Sequence, residues 1–345
     1  MDNSGPNASN EESLGGGVTG LTETAGDWIV DTVSGLPAPV RKNALKAFGQ
    51  LCTAAIQVPI AILEGIAMEK RAETQARLKL IDKSSSQISD NMGVNLSYAH
   101  LASDKFAKKI VREQVNVDKI AAIALEDLRS ESDTENLAGD EREFSEDWLN
   151  TFEREARDKS SEEMQTLFGR ILAGEIKRPN TFSIKTIRTI GQLDSDIAEM
   201  FVKFCSLAAT LGHDGVSVDT RIIKIGESAG SNGLKKYGLN YYSLLLMEEY
   251  GLVASNMSTK ATYGPCIEDE KKHVTLPFTF QGRVWKLRRK NTLPEGEASL
   301  GISGVALTKV GRELSRIVDI QPEPEYMQDL IDSFSEKGFD MLECK

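Results

Sequence analysis

The chain has 345 residues, of which 40% are hydrophobic, 27% charged and 6% aromatic, enough for two or three domains. With 52 acidic against 41 basic residues the formal net charge is −11, which argues against attraction of the whole protein to nucleic acid or anionic lipid. The imbalance is local, however. Residues 38–112 hold 12 Lys and Arg against 6 Asp and Glu, while residues 126–163 hold 5 against 15, so the first part is expected to carry a basic surface.

Residues 1–37 read as a tail. The first 25 positions are too polar and Gly-rich to bury a core and are expected to be disordered. Asp27 to Val33 reads as a short amphipathic turn, ended by Gly35, Pro37 and Pro39. Neither a basic start nor an apolar centre marks a signal peptide, so a reducing, cytoplasmic setting is expected. Cys52, Cys205, Cys266 and Cys344 form no C-x-x-C pair, and His100, His213 and His273 are equally scattered, which argues against a zinc site. Cys52 and Cys205 fall on apolar stripes and read as core thiols. No P-loop, dinucleotide-binding glycine pattern or metal-ligand spacing is present, and no cofactor is expected.

Residues 38–130 read as a basic helical module. From Ala47 to Leu63 no residue is charged, a run of 17, at the lower limit of the about 17–25 apolar residues that cross a bilayer. Lys46, Gln50, Thr53, Gln57 and Glu64 recur at helical spacing as one polar stripe, and Pro59 should kink or divide the helix. Three readings compete: a buried core helix, a membrane-surface amphipathic helix, and a transmembrane span. A buried core helix is the plainest of the three, while Arg41, Lys42 and Lys46 before the run, with Lys70 and Arg71 after it, support the second. There Leu51, Ile56, Ile60 and Leu63 enter lipid while Lys42 and Lys46 face its headgroups. A solvated, Ala-rich helix follows from Ile66. Beyond a polar break at 84–91, helices are expected over 97–112 (Phe106, Ile110) and 116–129 (Val117, Ile120, Ile123, Ala124). The acidic stretch 131–143 reads as a loop and domain boundary.

Residues 144–212 read as a helical core, four short helices stable only when packed on one another. Ser145 caps the first, whose Trp148, Leu149, Phe152 and Ala156 share a face. Ser160 and Glu163 have capping-box spacing for the second. Its stripe is Met164, Leu167, Phe168, Ile171 and Leu172, ended by Gly174 with Pro179 beyond. Ser183 caps the third (Ile184, Ile187, Ile190), with Phe182 as its hydrophobic staple. Asp194 opens the fourth (Ile197, Phe201, Phe204, Cys205, Ala208).

The pattern then changes over residues 213–320. Residues 216–225 are β-branched, Asn240 opens a helix closed by Gly251, and 273–280, 283–289 and 302–306 read as strands. Thr308 caps the helix KVGRELSRIV. A helix, strands and a final helix beginning L-T-x-x-G follow the order of a winged helix. The expected fold is therefore mainly α, a helical bundle core with a C-terminal winged-helix-like α+β module. Residues 321–345 read as an acidic tail with one amphipathic helix (Met327, Leu330, Ile331, Phe334).

Three patterns bear on chemistry. Gly226-Glu227-Ser228-Ala229-Gly230 fits G-x-S-x-G, but only His273 follows it, no oxyanion loop precedes it and the next residues are turn-like, so a glycine-rich loop is the better reading. Arg283, Lys286, Arg288, Arg289 and Lys290, with Trp285 among them, make a basic strand. In a winged helix such a hairpin contacts phosphates; the plainer reading is a solvated edge strand guarded by its charges. Glu248 and Glu249 on the preceding helix favour the plainer reading. Glu162 with Glu163, and Asp194 with Asp196, fall at helix starts, where carboxylates favour the dipole. No catalytic constellation emerges, and an enzyme is not expected.

Two segments carry a resemblance. EDWLNTFEREARDKSSEEMQTLFGRILAGEIKRPNTFSIKTIRTIGQLDSDIAEMF (146–201) resembles the signature core of a bacterial domain-of-unknown-function family, the one catalogued as 2806. More distantly it is similar to the alpha-type abortive-infection proteins of phage defence. LTKVGRELSRIV (307–318) resembles the closing helix of the same family. The resemblance implies a fold and a defence setting, not an active site. Joined to the residues, it leads to a non-enzymatic anti-phage defence protein acting through membrane engagement and partner recognition. The alternative is a winged-helix nucleic-acid-binding regulator. Expected partners are a protein or a second copy and an anionic membrane surface, with nucleic acid ranked below them. The expected location is cytoplasmic, with peripheral contact to the inner membrane.

Overall fold

The computed structural model describes residues 33–52, 96–130, 142–143, 145–213, 216–225, 233–254, 256, 259–290 and 300–344, with single positions between 79 and 95. The expectations for the N-terminal tail, for Ile56, Ile60 and Leu63, for most of the acidic loop and for Ser228 with its glycines lie outside the described residues. The chain divides into two units, Met1–Thr181 and Phe182–Lys345.

Helices α1 (Ala38–Leu51), α2 (Leu96–Ser130), α3 (Glu146–Ala156) and α4 (Glu162–Lys177) belong to the first unit. Helix α1 buries Val40, Ala44, Ala47, Phe48 and Leu51, steps of three and four that make one face. The two helices expected over 97–112 and 116–129 are one, α2, of 35 residues. Residues 112–116 hold no Gly or Pro, so nothing interrupts the backbone hydrogen-bond ladder there. Helix α2 packs mainly on α4, and Gly169 of α4 lies tightly against it. A Cβ there would lie 2.5 Å from Cγ2 of Ile123 and 3.3 Å from the backbone nitrogen of Ala124. Helix α3 adds Trp148 stacked on Phe152, centroids 5.2 Å apart, and Phe152 tilted on Phe168 of α4 at 5.5 Å. Side-chain amides satisfy carbonyls that helix ends leave open: Asn43 Nδ2 donates to Ile176 O at 3.3 Å and Asn116 Nδ2 to Arg157 O at 2.8 Å.

Cap positions follow the sequence with one shift. Ser145 Oγ accepts from the Trp148 N–H at 3.1 Å. The cap of α4 is Ser161, not Ser160, accepting from the Met164 N–H at 3.4 Å. Helix α4 also runs through Gly174 to Lys177. One interior glycine costs about 1 kcal/mol, less than burying Ile176 on the same face contributes, about 1.5–3 kcal/mol.

In the second unit, α5 (Ile184–Gly191) packs on α8 (Lys309–Leu314), and α6 (Ser195–Leu207) packs on α7 (Tyr241–Glu249). The four helices expected as one core are thus split, since α3 and α4 lie on the other side of the division at Thr181 and Phe182. Glu313 gives a physical reason. Its buried carboxylate accepts from the Ser183 N–H at 2.6 Å and the Thr186 hydroxyl at 2.5 Å, tying the start of α5 to α8. Ser183 Oγ completes the cap by accepting from the Thr186 N–H at 3.3 Å.

Helix α6 passes directly into β1 (Ala208–His213), so Ala208 to Leu211 are strand, not the end of a helix. The other strands are β2 (Val216–Ile223), β3 (Val253–Ala254), β4 (Lys260–Thr262), β5 (Phe278–Phe280), β6 (Arg283–Arg289), β7 (Gly301–Leu307) and β8 (Phe339–Glu343). Their order is β3-β7-β2-β1-β5-β6-β8, with β4 also on β7, and the strand pairings are antiparallel. Gly304 of β7 admits no side chain, as a Cβ would sit 2.0 Å from Ile222 O. Helix α9 (Pro324–Glu336) buries Tyr326, Leu330 and Phe334. The Tyr326 hydroxyl donates to Ile223 O at 2.9 Å, and the Phe334 ring lies 6.1 Å from that of Phe278. The expected amphipathic helix is therefore core, and β8 after it completes the sheet. The class is mixed α+β: helices in both units and an eight-stranded sheet in the second.

Candidate interaction surfaces

Phe106 and Ile110 are the apolar residues singled out in the helix expected over 97–112, yet the buried row of α2 is Ala99, Ser103, Ala107 and Val111, at four-residue steps. Tyr98, Leu101, Phe106 and Ile110 are between 52% and 69% exposed. Lys105, Lys108, Lys109 and Arg112 are exposed on the same stretch of helix. Lys108 pairs with Asp104 at 2.9 Å and Lys109 with Glu113 at 3.4 Å. Residues 96–113 thus hold four cations against two acids beside four exposed apolar side chains.

Helix α1 places the described part of the uncharged run. Leu51 is buried, and its carbonyl accepts from Gln114 Nε2 at 2.9 Å, so it is core and not a lipid-facing residue. Lys42 and Lys46 reach Glu143, the second at 4.0 Å, and the Lys42 hydrogen bond holds the Glu143 carboxyl below its usual range. Gln50 of the polar stripe donates to Asn150 at 2.9 Å. Cys52 is half-buried at the C-cap of α1. Among the described residues no helix is long and apolar enough to cross a membrane.

The basic strand is not an edge. Strand β6 lies between β5 and β8, and acids meet its cations. Lys286 pairs with Glu268 at 2.8 Å, Arg288 with Asp340 at 3.3 Å, Lys290 with Asp340 at 3.7 Å and Arg283 with Glu343 at 3.4 Å. Arg289 lies over the Phe339 ring at 5.9 Å. Trp285 is buried, and its indole N–H donates to Phe280 O at 3.2 Å. Four of the five cations that read as a phosphate-contacting hairpin therefore sit beside Asp340, Glu343 or Glu268, and the fifth, Arg289, lies over Phe339. Sequence reasoning missed this because β8 lies in the stretch read as an acidic tail.

Helix α7 is apolar on both sides. Ser243, Leu244 and Met247 are buried, while Tyr241, Tyr242 and Leu245 are between 38% and 70% exposed. Glu248 and Glu249 extend that outer side. Beyond them Leu246, Glu249 and Tyr250 line an open cleft of about 330 Å³ with Thr189 and Gln192 of the α5 end. The Tyr250 hydroxyl donates to Asp194 Oδ2 at 2.9 Å. Asp194 thus holds a tyrosine, although its position is that of an N-cap. The run YYSLLLM carried the signal for this surface, because a short helix apolar all round has more apolar faces than one packing partner covers.

The family model described as "Protein of unknown function (DUF2806)" matches residues 101–331. The chain belongs to that family. No curated protein and no solved structure matches the chain. The DUF2806 match begins in the exposed row of α2, takes in α7, and ends in α9, so both apolar surfaces lie almost wholly within it.

Burial pushes the Cys205 thiol up and the Cys266 thiol up to about 12, so both remain protonated at neutral pH. Among the described residues no cluster of His, Cys, Asp and Glu could hold a metal ion. Lys236, Tyr237 and Asp329 meet at a cavity of about 150 Å³ also lined by Lys224, Ile225 and Leu234. The Tyr237 hydroxyl and Lys236 Nζ both donate to Asp329. Burial and Asp329 push the Tyr237 phenol up to about 12, and the hydrogen bond from Lys236 draws the Asp329 carboxyl down. The hydrogen bonds close on one another, which ties the 3₁₀ turn Gly233–Tyr237 to α9.

Proposed function

We propose that this protein is a non-enzymatic bacterial anti-phage defence protein of the abortive-infection kind, which acts by engaging an anionic membrane surface and recognising a protein partner. The observation that carries the membrane half is the outward side of α2, with Tyr98, Leu101, Phe106 and Ile110 exposed among Lys105, Lys108, Lys109 and Arg112. Apolar side chains interleaved with cations suit the boundary between headgroups and acyl chains, where each cation contributes about 1 kcal/mol near an anionic surface. In this reading the uncharged sequence from Thr53 to Leu63, with Ile56, Ile60 and Leu63, is a second lipid-directed segment. The defence setting rests on the resemblance to abortive-infection proteins.

The partner half is supported by α7. In a winged-helix-like reading of residues 213–320, α7 leads into the strands and α8, and its outer side is the recognising one. Tyr241, Tyr242 and Leu245 beside two glutamates suit a protein surface better than a phosphate backbone, which repels carboxylates.

Flotation of the full chain with liposomes tests the reading. The protein should float with anionic vesicles and not with zwitterionic ones, and Leu101→Asp with Phe106→Asp should abolish both flotation and protection of cells against phage. A double variant that floats as well as the native chain would sink the assignment to α2.

A further inference from the structure

The outward sides of α2 and α7 have opposite charge and the same apolar character. Helix α2 shows Tyr98, Leu101, Phe106 and Ile110 beside Lys105, Lys108, Lys109 and Arg112. Helix α7 shows Tyr241, Tyr242 and Leu245 beside Glu248 and Glu249. Exposed apolar patches rimmed by charge mark interaction sites, and soluble proteins seldom leave large ones uncovered. We infer that the α7 side of one molecule docks on the α2 side of a second copy, and that this contact covers the α2 surface until a membrane competes for it.

Three observations favour a second copy over an unrelated partner. The two surfaces complement each other, aromatic and aliphatic side chains against the same kind and glutamates against lysines and arginine, which sets register and excludes like-charged alternatives. Every molecule carries both, so the complementary surface is present at the same concentration as the one it covers. Lastly, the apolar side chains lie next to the charges on each helix, with Leu101 one turn from Lys105 and Leu245 one turn from Glu249, so burial and ion pairing develop together. Two different surfaces in contact either pair reciprocally about a two-fold axis or make a head-to-tail interface, which closes as a ring or extends as an open filament.

The inference deepens the membrane reading, since it supplies a resting cover for the same α2 surface. Lys105→Glu with Arg112→Glu reverses one side, and Glu248→Lys with Glu249→Lys reverses the other; all four residues are exposed, and circular dichroism should show each variant folded. Light scattering of the full chain should give a mass at least double the 37.9 kDa of one chain. Each variant alone should be monomeric, and an equimolar mixture of the two should recover the higher mass. A native chain that stays monomeric at every concentration overturns the inference, as does an oligomer that neither variant dissolves or a mixture that stays monomeric. Liposome flotation separates it from the membrane reading. The Glu248→Lys, Glu249→Lys variant, with α2 uncovered, should float several-fold more than the native chain on anionic vesicles. A monomeric native chain that floats leaves the membrane reading standing and removes the self-docking. Recovery of mass in the mixture with no flotation of any form does the reverse.

Discussion

Replacing Gly169 with alanine sets two effects of known size against each other. An exposed or loosely packed helix would gain about 1 kcal/mol from the change, because alanine has the higher helix propensity. Here the added Cβ meets Ile123 Cγ2 at 2.5 Å, Ile123 Cβ at 2.9 Å and Ala124 N at 3.3 Å. Carbon atoms rest at about 3.5–4.0 Å, so roughly 1 Å of approach must be recovered. The obstructing Cβ is fixed to the α2 backbone, and a β-branched side chain in a helix has one strongly preferred rotamer. The helices must therefore separate. Overpacking of this kind costs about 1–3 kcal/mol, and with contacts this short the upper half applies, leaving a net loss of about 1–2 kcal/mol after the propensity gain. Gly169→Val should lose more. Urea unfolding followed by circular dichroism reads the loss, and hydrogen exchange of α4 amides assigns it to the first unit. An alanine variant as stable as the native chain, or more stable, would refute the close crossing of α2 and α4.

Two further expectations concern charge. Because Lys236 and Tyr237 hold the Asp329 carboxyl below its unfolded value, its contribution to stability is present above the ordinary aspartate range and lost as pH falls through the depressed folded value. Melting curves of native and Asp329→Asn protein should differ at neutral pH and converge in acid; parallel curves down to the most acidic point would contradict the pairing. Glu268→Gln with Asp340→Asn releases Lys286, Arg288 and Lys290 from their acids, and DNA binding followed by anisotropy should gain a salt-sensitive component, which its absence would disprove.

Much of the fold was legible because caps and apolar periodicity are local. Ser145, Ser183, Asn240 and Thr308 cap their helices as their side chains and spacing suggest. The sheet was less legible because pairing is not local: VA and KAT are too short to show the alternation that marks a strand, and of the strand expected over 273–280 only FTF forms. Helix α2 shows a different limit. Its packed row is Ala99, Ser103, Ala107 and Val111, while the larger Phe106 and Ile110 are exposed, so a rule that sends the largest apolar side chains inward fails on this stretch. The candidate surfaces suffered most. The basic strand could be seen in sequence, whereas Asp340 and Glu343 come to it from 50–60 residues away across the β6–β8 pairing, and Glu268 from a loop 18 residues before Lys286.

The two segments that carry the family resemblance meet at one buried contact, and its behaviour should show what the family match records. Ser183 and Thr186 come from the first segment and Glu313 from the second, and the carboxylate accepts from the Ser183 N–H at 2.6 Å and from the Thr186 hydroxyl at 2.5 Å. Glu313→Ala leaves the half-buried Ser183 N–H and the buried Thr186 hydroxyl without their acceptor, a loss of about 1–3 kcal/mol. Glu313→Gln keeps an acceptor for that N–H. Its amide NH2 can donate to Thr186 Oγ1, whose own hydrogen is free to turn toward Ser183 Oγ at 3.0 Å. The glutamine variant should therefore lose only the charge assistance, about half of what alanine loses. Glu313 bonds to Ser183, Thr186 and Lys309, none of which belongs to the exposed residues of α2 or α7, so both variants should retain liposome flotation at temperatures where they remain folded. If the order holds, the residues that mark the family fasten α5 to α8 and act on function only through the fold. If glutamine and alanine destabilise equally, the contact is packing alone. If the glutamine variant is fully stable and yet inactive against phage, the carboxylate itself takes part in recognition, and the functional surface must be sought at Glu313.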